Sequence, residues 1–195
     1  MNEQQTGWHT VGSISRVEIM VAAGILNATR GLETFVGHPI SMGTIQARVV
    51  RFDDLSTGVG DPMAEMVGVC LQMKGDMAGQ ALLILPKASA LNLVDLLTKL
   101  PPGTTTSLGD MERSALAELG DVMVSYFLNA VAGLTGRPLL PSTPTVLVDV
   151  LTNVLDVFVA SEDEKDGELM VMETILSDAE GLVHARFWVL PDFTS

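Results

Sequence analysis

The chain has 195 residues, 47% of them hydrophobic, and a net charge of −13 from 24 acidic and 11 basic side chains. That length fits one domain with a sizeable core. The charge excludes a duplex nucleic-acid binder, whose affinity comes from Lys and Arg on phosphates. The expected partner is therefore a protein or a small molecule. No apolar stretch reaches the roughly 20 residues that span a bilayer, and Met1-Asn2-Glu3-Gln4-Gln5 lacks a signal peptide's basic end and apolar centre. A soluble, cytoplasmic protein without membrane insertion is expected. The acid excess also suits a high-salt interior, where surface charge is screened.

Cys70, the single cysteine, lies in Val67-Gly68-Val69-Cys70-Leu71 and reads as a buried, inert thiol. His9, His38 and His184 stand apart without the short spacings of ligand sets, so no metal site is expected.

From Ser13 to Val36 apolar side chains recur at helical spacing, with Ser13 or Ser15 as N-cap and Gly37-His38-Pro39 as the stop. Thr44 to Phe52, Glu65 to Lys74 and Gln80 to Leu85 read as three strands between Gly, Pro and Asp clusters. Ala88 to Leu100 reads as a shorter amphipathic helix, closed by Pro101-Pro102-Gly103. A second long helix is predicted over Asp110 to Leu134, ending near Gly136-Arg137-Pro138. Strands follow at Thr145 to Leu151, Leu155 to Ala160, Glu168 to Leu176 and Leu182 to Leu190. The charged run Glu162-Asp163-Glu164-Lys165-Asp166-Gly167 reads as a solvated turn.

The second half repeats the first. Asn27-Ala28-Thr29-Arg30-Gly31-Leu32 and Asn129-Ala130-Val131-Ala132-Gly133-Leu134 share Asn-Ala-x-x-Gly-Leu at an offset of 102, and Gly79 to Pro86 and Gly181 to Pro191 both end in Leu-Pro. Two matches in the same order favour a duplication. The expected organisation is an N-terminal tail, 1–12, and one domain, 13–195, built from repeats at about 13–103 and 104–195. The expected fold class is α+β, with two pseudo-symmetric helix-plus-strands halves sharing a sheet and the two long helices packed on it.

On the second long helix Ser114, Glu118, Asp121 and Ser125 are spaced 4, 3 and 4, which forms one polar stripe that Asp110 extends. Leu116, Leu119, Met123, Phe127 and Ala130 take the opposite side. Such a stripe is also what a plain solvated helix face shows. The longer pattern Ser114-x3-Glu118-x2-Asp121-x22-Pro144, with Tyr126-x2-Asn129-Ala130 and Leu134-Thr135-Gly136, is more specific. It resembles the signature of the CheC, CheX and FliY-type phosphatases: Asp or Ser, three residues, Glu, two residues, Asn, twenty-two residues, Pro.

The resemblance implies a chemotaxis signalling protein of CheC type that binds a phosphorylated CheY-type response regulator and hydrolyses its aspartyl phosphate. In that family the Glu grips a Lys of the regulator and the Asn positions the attacking water. Carried over, Glu118 is the docking carboxylate, Asp121 stands at the water-positioning place, and Ser114 and Pro144 are structural members of the motif. The resemblance implies no cofactor in the protein itself, since the Mg2+ belongs to the partner regulator. CheD, a receptor-modifying deamidase, is a further implied partner.

The departure from the signature is Asp121. An amide donates and accepts, whereas a carboxylate only accepts. A like charge at about 4 Å costs roughly 4 kcal/mol at an effective dielectric near 20, so a weak phosphatase is expected. At the 102 offset Arg16 and Ile19 fall where Glu and Asn would stand on the first helix, which makes that site degenerate. The alternative reading is a catalytically silent adaptor that binds CheY or CheD, and Asp121 and the lost first site favour it.

Overall fold

Gly37 ends the first helix where the sequence places its stop: its φ of 69° is left-handed, and its amide donates to the Glu33 carbonyl at 2.9 Å. The computed structural model describes residues 16–75, 78–160 and 168–192. It runs α1 (Arg16–Val36), β1 (Ile40–Met42), β2 (Gln46–Arg51), a 3-10 turn (Phe52–Asp54), β3 (Glu65–Gly75), β4 (Gly79–Pro86) and α2 (Lys87–Thr98). It continues with α3 (Asp110–Thr135), β5 (Leu139–Pro141), β6 (Thr145–Val150), α4 (Leu151–Val159), β7 (Glu168–Asp178) and β8 (His184–Pro191). A long helix, two short strands and a long hairpin occur twice in that order.

The strands form one antiparallel sheet in the order β1-β7-β8-β4-β3-β5, with β2 also on β7 and β6 also on β3. The registers repeat between halves. Ile40 opposite Asp178 is matched by Leu139 opposite Gly75, and Gln46 opposite Glu173 by Thr145 opposite Cys70. At the centre Leu82 faces Trp188 and Leu83 faces Phe187. A pseudo-twofold axis passes through the Leu82–Trp188 pair, perpendicular to the sheet, and exchanges these two residues. Both long helices consequently lie on one face.

The halves correspond at an offset of 99 through the helix stops and short strands, as Gly37 with Gly136 and Ile40 with Leu139. The Asn-Ala-x-x-Gly-Leu letters suggest 102 instead. A three-residue slip is nearly one helical turn, so the letters land on almost the same face and hide the error.

The sheet has a core on each side. Val67, Val69, Leu71, Leu83, Leu85, Phe187 and Val189 pack with α1, α2 and α3. Leu82, Ile84, Trp188 and Leu190 pack with α4. The alternation along β4 and β8 is the period of two that sends neighbours to opposite faces.

Segment Leu155 to Ala160, expected as a strand, is instead the end of α4 and its C-cap residue, Ala160. The buried residues of α4 are Leu151, Val154, Leu155, Phe158 and Val159, spaced for a helix. Its Val and Phe content is what reads as strand in isolation. The first half has four strands rather than three, because β1 is too short to show an alternation. α3 is long and apolar enough to cross a membrane by length and composition. Its Leu116, Leu119, Met123 and Phe127 are nevertheless core residues against the sheet and α1. The helix caps expected at Ser13 or Ser15, the tail and the run Glu162 to Gly167 lie outside the described residues.

Candidate functional site

α3 begins where the Glu112 carboxylate accepts the Gly109 amide at 3.0 Å, so an acid fills the first turn and an otherwise orphan donor is satisfied. Three turns on, Gly120 separates Glu118 from Asp121. A Cβ on Gly120 would fall 2.5 Å from Val69 Cγ1 and 3.3 Å from Leu71 Cδ1, so the helix backbone lies directly on β3. This contact fixes the height and rotation of the turn that carries both acids. Glu118 and Asp121 are exposed, as is Ser114, while Ser125 is half-buried. Neither Glu118 nor Asp121 makes a hydrogen bond or ion pair among the described residues.

Pro144 immediately precedes β6, which pairs with β3. Its neighbour Thr145 faces Cys70, which lies between the Val69 and Leu71 that support Gly120. The loop before it is tied to β3 twice: Ser142 N–H donates to the Gln72 carbonyl at 2.8 Å, and the Gln72 amide donates to Ser142 Oγ at 2.9 Å. Half-buried Pro144 is therefore held next to the stretch of β3 on which Gly120 rests. Two unpaired carboxylates one turn apart can grip a cationic side chain and accept a hydrogen bond from water. They offer no donor to a developing negative charge, which a reacting partner must supply.

In the first half, the structural register places Ile19 and Ala22 opposite Glu118 and Asp121. Arg16 and Ile19 do not occupy those places, for the one-turn reason given above. The outcome for chemistry is unchanged, since Ile19 is 57% exposed and apolar and Ala22 carries no polar group. Glu18, one residue away, is buried and engaged elsewhere.

Other polar groups gather on the opposite sheet face, where the sequence gives no hint of them. Glu173 Oε2 accepts from Trp188 Nε1 at 2.7 Å and from Arg186 Nη1 at 3.2 Å, and its Oε1 lies 3.4 Å from Arg48 Nε. The Arg48 guanidinium stands 5.1 Å from the Trp188 ring centroid. Burial draws Arg48 below its ordinary value, against the Glu173 carboxylate that raises it. Three strands contribute these residues, so no spacing in the chain announces them. Cys70 is half-buried, and burial pushes its thiol up to about 12, which fits the inert thiol read from the sequence.

No family model matches the chain. The CheY-P phosphatase CheC of Bacillus subtilis is 27% identical over 176 residues, covering 88% of this chain and 84% of its own. The crystal structure of Thermotoga maritima FliY matches with a TM-score of 0.70 at 20% identity, over 89% of this chain and 87% of that one. A chain of the CheX–CheY–BeF3–Mg2+ complex from Borrelia burgdorferi matches with a TM-score of 0.60 at 14% identity, over 92% and 99%. The signature around Glu118, the two-half sheet and these similarities over most of the chain agree: the chain is similar in sequence to CheC and shares its fold with FliY and CheX.

Proposed function

We propose that this chain binds a phosphorylated CheY-type response regulator along the Glu118–Asp121 edge of α3 and hydrolyses its aspartyl phosphate at a low rate. The observation that carries the reading is that pair of exposed, unpaired acids, one turn apart, on a helix seated on β3. The relatives support it: one is named a CheY-P phosphatase, and another is held in a complex with CheY, BeF3 and Mg2+. Glu118 pairs with a lysine of the regulator and sets its register on α3. Asp121 accepts a proton of the attacking water and so orients it, which suits a reaction that depends on positioning and charge placement. Mg2+ arrives with the regulator rather than with this protein. The setting is the cytoplasm, where the regulator is.

Asp121 also favours a second reading. Its charge opposes the incoming phosphoryl group, and Ile19 and Ala22 leave no second site. On that reading the chain is an adaptor that docks CheY or CheD and hydrolyses nothing. Decay of the phosphorylated regulator with and without the protein tests the two. Faster decay supports the phosphatase; binding without faster decay supports the adaptor. No binding of the regulator overturns the reading of the site.

A further inference from the structure

We propose that His38, Asp178 and Glu180 form a binding site for a divalent transition-metal ion, with Zn2+ the best-fitting ion. His38 lies in the turn between α1 and β1, Asp178 ends β7 opposite Ile40, and Glu180 lies in the turn between β7 and β8. One ligand atom from each lies within 4.8 Å of the others, and His38 Nε2 is 2.9 Å from Glu180 Oε2. His38 and Glu180 are 142 residues apart in the chain, so the short-spacing test applied to the sequence could not see them.

The histidine–glutamate contact alone is an ordinary surface ion pair. Asp178 is what that explanation leaves over. It is only 6% exposed; its Oδ1 accepts the Val183 amide at 2.9 Å, while its Oδ2 is buried with no partner. A buried carboxylate oxygen left without a donor is costly and rare, and here it sits beside a second carboxylate. A cation satisfies both carboxylates at once.

The donor set selects the ion. One imidazole nitrogen with two carboxylate oxygens is a set that Zn2+ accepts, whereas Ca2+ and Mg2+ favour oxygen ligands alone. Ligand atoms at about 2.1 Å from a tetrahedral ion lie about 3.4 Å from each other. That spacing falls inside the 2.9 to 4.8 Å seen here, so small side-chain rotations close the site. The Val183 amide on Oδ1 orients the Asp178 carboxylate and leaves Oδ2 for the ion. Glu180 is exposed, which gives an entry path and room for a water as fourth ligand. At the corresponding places of the other half stand Arg137 and Gly75, so the site belongs to one half only. Its effect is to clamp the α1–β1 turn to the β7–β8 turn.

The test uses the full chain, stripped with a chelator and dialysed, then titrated with Co2+ as a spectroscopic probe and with Zn2+ in competition. One equivalent should bind, with the visible absorption bands of a tetrahedral Co2+ site that Zn2+ abolishes. His38→Ala and Glu180→Gln, both on turns, should each lower the affinity at least tenfold while circular dichroism stays unchanged. Asp178→Asn should do the same, since Asn can still accept the Val183 amide. The melting temperature of the parent should rise with Zn2+, and that of His38→Ala should not. His184→Ala, which alters an exposed histidine outside the cluster, should bind like the parent. Absence of a stoichiometric site, or equal titrations for the parent, His38→Ala and Glu180→Gln, would overturn the proposal.

Discussion

The ring of Phe127 occupies the space in which a side chain on Gly24 would begin, so α1 and α3 meet there with nothing between backbone and ring. Phe127 is fully buried and has no room to retreat. Gly24→Ala should destabilise the fold by about 1 to 3 kcal/mol of overpacking, offset by up to about 1 kcal/mol of helix propensity. Gly133→Ala makes the opposite case, because nothing lies within 4 Å of its missing Cβ. It should stabilise α3 by about 0.5 to 1 kcal/mol. Denaturant midpoints at unchanged slope measure both.

Asp121→Asn restores an amide that donates as well as accepts. Decay of the phosphorylated regulator should accelerate. Glu118→Ala should weaken regulator binding by about 2 to 5 kcal/mol, the usual loss when a charge-assisted interface contact is truncated. Both residues are exposed, so neither change should move stability by more than about 0.5 kcal/mol. An inert Asp121→Asn beside a weakened Glu118→Ala would decide for the adaptor.

Asp95 joins α2 to the linker that precedes α3. It is fully buried and accepts the amides of Thr104 at 3.0 Å and Thr105 at 2.8 Å, together with the Thr105 hydroxyl. Burial pushes its carboxyl up, but the hydrogen bonds from Thr105 and Thr104 outweigh this and hold it below the ordinary carboxylate range. The unfolded chain therefore takes up this proton first as acid is added. Asp95 contributes stability that is complete above about pH 4 and is lost as pH falls through its lower folded value. Urea unfolding from pH 6 down to pH 3 should show this loss, and Asp95→Asn should flatten it.

Glu173 neutralises part of a two-arginine cluster beneath Trp188. Glu173→Gln keeps an acceptor for the indole N–H but leaves Arg48 and Arg186 without a counter-charge. Breaking a buried pair in this way costs about 3 to 5 kcal/mol. Trp188→Phe removes one hydrogen bond and leaves the charges paired, at about 1 to 3 kcal/mol for the oxygen left short of a donor. Thermal unfolding of the two variants should rank Glu173→Gln below Trp188→Phe.

A net charge of −13 also has a bulk effect. Screening relieves repulsion among the acids, so the melting temperature should rise from low to molar salt. A flat or falling series contradicts this.

Long elements were legible because their periodicity is long. α1, α3, β3 and β4 lie within a few residues of the expected bounds, with the stops at Gly37 and Gly136 in place. α4 was not legible, since Val154, Leu155, Val157, Phe158 and Val159 satisfy both a strand's composition and a helix's spacing, and only the apolar sheet face beneath them chooses. The polar stripe on α3 was readable from spacing. Its seating was not, because that depends on Gly120 meeting Val69 and Leu71 of a distant strand. The correspondence between halves was misjudged by three residues, since two small-residue matches outvoted the Gly-x-Pro stops at Gly37-His38-Pro39 and Gly136-Arg137-Pro138.

The axis through the Leu82–Trp188 pair runs through the middle of the sheet, so either half alone would end in an unpaired β4 or β8. An ancestral half-length chain would have closed that edge with its own copy, in a dimer whose two helices were identical by necessity. Fusion into one polypeptide removed the necessity. Selection could then hold Glu118 and Asp121 in one copy while the other drifted to Ile19 and Ala22, so the duplication that built the sheet also freed the two long helices to carry different surfaces.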